Sequence, residues 1–129
     1  MNARPRRAPG GFTLIELLVV LSIIATLLTI AVPRYFGSLE KAEETTLRQS
    51  LSIMREAIDH HYGDLGKYPE TLEDLVTRRY LRSVPTDPIT NQTDSWIPVA
   101  NTDAGKGGMR DIKSGAPGNG RDGTPYGSW

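Results

Sequence analysis

The sequence predicts an α+β fold in which a long N-terminal helix is followed by a short second helix and a small antiparallel sheet with long C-terminal loops. Two patterns predict this fold. An apolar run over residues 12–33 passes into an apolar stripe, and after residue 81 the composition changes to glycine, proline, asparagine and aspartate. The chain therefore divides into a basic leader at 1–11, a membrane-spanning helix at 12–33 and a head at 34–129, which begins with an amphipathic helix over 38–65.

The apolar run is long enough to cross a bilayer once. From Phe12 to Val32 every side chain is apolar or small and weakly polar except Glu16. At about 1.5 Å per helical residue, this run spans roughly 30 Å. The leader holds three arginines and no acid, which predicts a cytoplasmic N-terminus and an external head. A secretory signal peptide, with an apolar region of about 7 to 15 residues, fits this longer run poorly.

Glu16 is the ionisable residue within the apolar run. A carboxylate costs roughly 2.5 to 3.5 kcal/mol at the centre of a bilayer and less near its surface. The residue therefore predicts a positively charged partner nearby. In a plain membrane anchor, which is a second alternative, it would have no role.

Gly11, Phe12, Glu16 and Pro33 carry a resemblance to the type IV pilin and type II secretion pseudopilin family. Members have a short basic leader ending in glycine, then a phenylalanine, and a glutamate four residues further on. The resemblance implies that a prepilin peptidase cuts between Gly11 and Phe12 and methylates the new amine of Phe12. This cationic amine would lie within reach of a Glu16 carboxylate, on the same chain or on a neighbour, which offsets the cost of burying the charge.

The same resemblance implies a structural subunit of a filament, with one pass through the bacterial inner membrane, a cytoplasmic N-terminus and a periplasmic head. The partners it implies are further copies in a homo-oligomeric filament, the prepilin peptidase, minor pseudopilins, a secretion platform and an assembly ATPase. Tyr68-Pro69 and Asp87-Pro88, followed by a tryptophan, resemble the heads of major pseudopilins in type II secretion systems. The alternatives are a type IV pilin or minor pseudopilin, and a solitary membrane-anchored binding module with a ligand pocket in its head.

Beyond the membrane, an apolar stripe at spacings of three and four residues predicts that the helix continues. The stripe consists of Leu47, Leu51, Met54, Ile58, Tyr62 and Leu65. Glu44 with Arg48, and Arg55 with Asp59, are four residues apart, and they are interpreted as ion pairs on the exposed faces of the helix.

Pro33 and Gly37 are expected to bend or loosen the helix where it leaves the membrane. His60 and His61 are neighbours on the helix, so their side chains point about 100° apart and are poorly placed to hold one metal ion. They are interpreted as ordinary helical residues.

A second helix and a small sheet complete the predicted head. Gly63 and Gly66 end the first helix, and Thr71 is the predicted N-cap of the second, with Asp74 three residues on. Its buried side is formed by Leu72, Leu75, Val76 and Tyr80. Short apolar runs at 96–99 and around 109–112 predict two or three brief antiparallel strands.

The C-terminal loop is a candidate calcium site. Asp111, Ser114, Asn119 and Asp122 offer carboxylate, hydroxyl and amide oxygens close together in sequence, and oxygens in a flexible loop suit Ca²⁺. The family resemblance also implies calcium, held in a glycine-rich C-terminal loop by two aspartates, of which Asp122 matches the first.

The second aspartate of that pattern is missing. Thr124-Pro125-Tyr126 stands where it is expected before Trp129, and Asp111 could supply the charge from the preceding strand. The alternative is a loop without metal, held by proline, Asx turns and the aromatic pair of Tyr126 and Trp129.

Composition argues against several other classes of function. The chain has no cysteine, which excludes disulfides. It has 15 basic and 15 acidic residues, and removal of the leader leaves 12 against 15, so a basic surface for nucleic acid is not predicted. No nucleophile with a neighbouring base and no phosphate-binding glycine motif stands out, and we therefore expect a protein that is not an enzyme.

Overall fold

A computed structural model describes residues 2–6, 9–103 and 107–129. The α+β prediction is confirmed. The elements are helix α1 (Leu14–Leu65), helix α2 (Leu72–Thr77), strands β1 (Trp96–Ala100) and β2 (Met109–Ser114), and a short 3₁₀ helix (Tyr126–Ser128). The chain forms two compact units that meet between Gly37 and Ser38, and each is described separately. The predicted leader includes Met1, Arg7 and Ala8, which lie outside the described residues.

The first unit contains the apolar part of α1, and its side chains face outward. Phe12 is 91% exposed and Leu14 is 77% exposed. The most apolar 18-residue window has a mean hydropathy of 2.6, and none of it is buried by the chain. Among the described residues, α1 is the one helix whose length and composition allow it to cross a membrane.

The polar groups inside this apolar segment are satisfied by the helix itself. The hydroxyls of Ser22, Thr26 and Thr29 donate to the carbonyl oxygens four residues earlier, at 2.7 to 2.8 Å. Such bonds suit a medium that offers no water. Pro33 lies within the helix, so the single chain stays helical there. A loosening of the helix at Pro33 is not seen in this chain, and the expected bend stays a prediction.

The second unit, the head, has its core on the apolar stripe of α1. Leu47, Leu51, Met54 and Ile58 are each at most 1% exposed, which confirms the first part of the predicted stripe. They pack in one cluster with side chains from α2 and the sheet, including Leu72, Leu75, Leu81, Trp96, Met109 and Ile112.

The end of the predicted stripe is wrong. Tyr62 and Leu65 are exposed, and His61 takes the buried position after Ile58. The His61 ring can be buried because its Nδ1 lies 2.7 Å from the carbonyl oxygen of Lys67, so its polar atom has a partner.

Helix α2 begins as predicted. The Thr71 hydroxyl accepts from the backbone N–H of Asp74 at 3.3 Å, and the Asp74 carboxylate accepts from the N–H of Glu70 at 3.1 Å. Leu72 and Leu75 face the core. This cap fixes the start of a helix too short to be stable by itself.

The sheet has two antiparallel strands. Trp96 pairs with Ser114 and Ala100 pairs with Met109, with an irregularity in register between Val99 and Ala100. Pro98 lies in the middle of β1, where it supplies no backbone donor. The sheet places β2 and the loop after it beside α1 of the head.

Gly108 allows the close approach that joins β2 to the rest of the head. Its φ is +103°, and a Cβ there would lie 2.8 Å from the carbonyl oxygen of Tyr68. The adjacent N–H of Met109 donates to the carbonyl oxygen of Pro69 at 2.7 Å. The chain after α1 and the start of β2 are therefore bonded through their backbones.

Candidate functional site

The predicted cleavage junction is exposed and lies outside the helix. Gly11 and Phe12 precede the first residue of α1. A Cβ added to Gly11 would meet no atom within 4 Å, and its φ is not in the left-handed region. Nothing in the described chain therefore requires glycine at this position, whereas an external enzyme that reads the junction could.

Glu16 forms a capping box with Thr13, which the sequence analysis missed. The Glu16 carboxylate accepts from the Thr13 N–H at 3.0 Å and from its hydroxyl at 3.2 Å, while the Thr13 hydroxyl accepts from the Glu16 N–H at 3.2 Å. The pattern Thr-x-x-Glu was the available signal. This carboxylate therefore has partners on its own chain, within one helical turn.

Two of the predicted calcium ligands lie on β2 and have separate partners. The Asp111 Oδ1 accepts from Nε of Arg55 and from the Ile112 N–H, both at 2.8 Å. The buried Ser114 hydroxyl donates to the Asp87 Oδ2 at 2.6 Å and accepts from the Ala116 N–H at 3.1 Å.

The other two predicted ligands lie in the C-terminal loop. Asn119 forms an isolated backbone bridge with Pro125. The Asp122 Oδ1 accepts from the Thr124 N–H at 3.0 Å and from its hydroxyl at 2.6 Å, and Oδ2 lies 3.4 Å from the Arg48 guanidinium. The Thr124 hydroxyl, its N–H and then the Arg48 charge lower the pKa of Asp122 below its ordinary value.

Within residues 2–6, 9–103 and 107–129, no group of three or more histidine, aspartate or glutamate side chains could hold a metal ion. The Asp111 and Asp122 carboxylates instead accept from arginine, hydroxyl and backbone donors, and the Ser114 hydroxyl donates to Asp87. Calcium binding stays a prediction of the sequence pattern.

Arg48 and Arg55 are the residues whose role the sequence analysis misjudged. They were expected to pair with Glu44 and Asp59 along α1, but their recorded ion pairs are with Asp122 and Asp111. Long-range partners within the fold replace the local ones. No local signal distinguishes them, because these partners lie 74 and 56 residues away in sequence.

Asp87 is a second residue whose role emerges from the fold. It is fully buried, and its Oδ1 accepts from the N–H groups of Ile89 and Thr90 at 2.8 and 3.4 Å. Its Oδ2 accepts from Ser114. Asp87 therefore ties the loop before β1 to the end of β2, and Asp-Pro in the sequence was the only hint of a turn.

Comparison with known proteins points to one group. Residues 6–32 match the family described as a prokaryotic N-terminal methylation motif, and Gly11, Phe12 and Glu16 fall within that match. No solved structure matches the chain.

Several curated relatives share one name. The chain is similar to the type II secretion system core protein G of Vibrio cholerae, with 32% identity over 66% of this chain and 68% of the relative. It is also similar to the protein of that name in Pseudomonas aeruginosa, with 31% identity over 67% of this chain and 72% of the relative. The protein of that name in Klebsiella michiganensis is 29% identical over 93% of this chain and 89% of the relative.

Proposed function

Because the chain belongs to the family of type II secretion system core protein G, we propose that it is a structural subunit of a pseudopilus, the filament of a type II protein secretion system. The N-terminal methylation motif makes it a substrate of a prepilin peptidase. We place the cut between Gly11 and Phe12 and the methyl group on the new amine of Phe12.

The apolar part of α1 is the observation that carries the filament proposal. Its side chains face outward and none of its most apolar window is buried. Exposing so much apolar surface to water is unfavourable, so these side chains need a medium or a partner from outside the chain. Lipid supplies it before assembly, and the same segment of neighbouring subunits supplies it in a filament.

The membrane orientation follows from charge. The arginine-rich leader remains cytoplasmic, the apolar part of α1 crosses the inner membrane once, and the head lies in the periplasm. The proposed partners are further copies of the chain, minor pseudopilins, the secretion platform and the assembly ATPase. These partners are proposed because a subunit held in the membrane by an apolar helix needs machinery to extract it before it can join a filament.

A solitary membrane-anchored binding module is the alternative from a different class. An apolar cleft beside Trp96 and Met109 has a volume of about 240 Å³. This volume is smaller than that of usual ligand pockets, which is roughly 300 to 1,000 Å³. A groove of about 430 Å³ beside Arg55 and Asp59 is open and charged. The first is too small for a usual ligand pocket and the second is open and charged, so the filament subunit is favoured.

The processing step is tested by intact mass and N-terminal sequencing of protein produced together with its prepilin peptidase. We expect a mature chain that starts at Phe12 and carries one methyl group. Gly11→Val leaves an uncut precursor, whereas Gly10→Val, a matched change at another exposed glycine, is still cut. A mature chain that begins after Val32 would contradict the proposal, because it would identify a signal peptide.

The role of Glu16 is tested by two substitutions that separate charge from capping. Glu16→Leu removes both, while Glu16→Gln keeps a side chain that can complete the capping box. If the charge sets assembly, both variants enter the membrane and both form few filaments. Normal filament yield from Glu16→Gln but not from Glu16→Leu would assign the residue to helix capping, and normal yield from both would favour the solitary module.

A further inference from the structure

We propose that Arg48 and Arg55 act as built-in cations that hold the C-terminal loop against α1, so that the head of this subunit is ordered without calcium. The two arginines lie seven residues apart, which is about two helical turns or roughly 10 Å on one side of α1. Each contacts one of the two aspartates, Asp122 and Asp111, that a calcium ion in this loop would need.

Arg55 joins three separate parts of the head. Its Nε donates to Oδ1 of Asp111 at 2.8 Å, and one Nη donates to the carbonyl oxygen of Ile112 at 3.0 Å and to the backbone oxygen of Trp129 at 2.6 Å. The Lys113 ammonium approaches the same Trp129 oxygen at 3.2 Å. The Arg55 side chain is 35% exposed, so these charged hydrogen bonds are screened less than those of a fully solvated pair.

Arg48, about two helical turns before Arg55 on α1, contacts the loop at Trp129 and Asp122. Its guanidinium carbon lies 3.9 Å from the centroid of the Trp129 ring, within range of a cation–π interaction, and its Nη lies 3.4 Å from Asp122. The Trp129 ring also packs edge-on against Tyr126, with 5.0 Å between centroids. Arg48 therefore contacts the loop through both the Trp129 ring and the Asp122 carboxylate.

The loop is shaped to receive this ring. A Cβ at Gly120 would lie 2.2 Å from Cζ2 of Trp129, and the Trp129 indole N–H donates to the Thr124 hydroxyl at 2.6 Å. The Arg121 N–H donates to the Glu44 carboxylate of α1 at 2.7 Å. The loop is thus held against α1 and around the Trp129 ring by protein groups.

A calcium ion in the same place would have to displace these partners. Ca²⁺ takes about six to eight oxygen ligands, while the carboxylates of Asp111 and Asp122 already accept from guanidinium, hydroxyl and backbone donors. A guanidinium and a calcium ion cannot neutralise the same carboxylate side by side without strong repulsion. The two modes are therefore alternatives, and an experiment can separate them.

The test uses the full-length chain in detergent, followed by near-ultraviolet circular dichroism during heating. Both tryptophans, Trp96 and Trp129, belong to the head, so the signal is followed in the long-wavelength tryptophan band, where tyrosine and phenylalanine do not absorb, and there it reports the head. We expect the same melting temperature in EDTA and in millimolar calcium. Arg55→Ala lowers it by roughly 10 °C and Arg48→Ala by less, and calcium restores neither. Arg82→Ala, at an exposed arginine, leaves it unchanged.

Two further variants keep the proposal testable if Arg55→Ala fails to fold. Arg48→Lys retains the charge but loses the planar group over Trp129, and Arg55→Lys cannot reach all three acceptors, so both melt below the parent. A parent chain that melts higher in calcium than in EDTA would overturn the proposal. Arginine variants that melt with the parent would overturn it as well. Neither result bears on whether the chain forms filaments, which is scored on wild-type protein.

Discussion

Helix α1 lies in two different surroundings along its length. Up to Gly37 its large apolar side chains are exposed, whereas in the head Leu47, Leu51, Met54 and Ile58 are covered by the chain itself. The first part is apolar on every side, and the second carries apolar residues on one stripe. In the head, the apolar stripe of α1 is covered by α2 and the sheet of the same chain. In the first part, nothing within the described chain covers the apolar side chains, so their cover has to come from lipid or from another molecule.

The comparison is tested most strongly by the same substitution in both parts of α1. Ile58→Ala leaves a cavity in the head and is expected to lower its free energy of unfolding by about 2 to 5 kcal/mol. Ile23→Ala, at a side chain that is 55% exposed, is expected to leave head melting in detergent unchanged. A comparable loss in both variants would mean that the first part of α1 also stabilises the head.

Introducing a charge is expected to affect the first part of α1 more than the part in the head, the reverse of the alanine substitutions. Ile23→Arg places a guanidinium near the centre of the apolar run, at a cost of roughly 2.5 to 3.5 kcal/mol for insertion. We expect less protein in the membrane fraction, with head melting in detergent preserved. Ile53→Arg, at an exposed isoleucine of the head, is the matched control and is expected to insert normally. Equal insertion of both variants would argue against a membrane-spanning role for residues 12–33.

Within the head, a buried polar group is expected to matter less than a core isoleucine. Asp87→Ala leaves the Ser114 hydroxyl and two N–H groups without their acceptor, and we expect a loss of about 1 to 3 kcal/mol in chemical denaturation. Asp87→Asn keeps one acceptor oxygen and is expected to cost less. Asp103→Ala, at an exposed aspartate, is the control and is expected to leave the stability unchanged. Parent-like stability of Asp87→Ala would show that water replaces the lost acceptor.

The smallest expected effect is the pH dependence of the exposed loop. The folded-state pKa of Asp122 is lowered, first by the Thr124 hydroxyl. Its contribution to stability is therefore present above the unfolded pKa and is lost as the pH falls through the lower folded value. We expect the difference in melting temperature between the parent and Asp122→Asn to be present at neutral pH and to vanish in strong acid.

Thr124→Val removes the largest cause of the lowered pKa. It is expected to move that pH dependence upward, toward the ordinary aspartate range. A difference between the parent and Asp122→Asn that stays constant from neutral pH to strong acid would contradict the assignment.

Local patterns in the sequence were sufficient for the features that local physics decides. The stripe through Ile58, the Thr71 cap and the positions of both strands follow from periodicity, short-range hydrogen bonds and composition. The end of the stripe was missed because His61 counts as polar in a pattern, although one backbone acceptor makes its burial acceptable.

The C-terminal loop depends on contacts that no local pattern contains. Arg48 and Arg55 had acidic neighbours four residues away, yet the fold gives them acids far along the chain. Glu16 shows the opposite case. A local capping pattern with Thr13 was present in the sequence, but the residue was interpreted only through the cost of placing its charge in the membrane. In both places, the charged residue type correctly indicated that a polar partner is needed, but the sequence interpretation did not identify the partner that the structure shows.

Pro98 and the irregular register beside it bear on whether the sheet of one head can pair with the sheet of another. A sheet of two strands has open edges, and open edges invite strands from other molecules. In β1, a proline without a donor and a shift in pairing between Val99 and Ala100 interrupt the row of backbone groups that such a strand would need. In the proposed filament, where heads are held at high local concentration, we expect this interruption to disfavour pairing between the sheet edges of neighbouring heads.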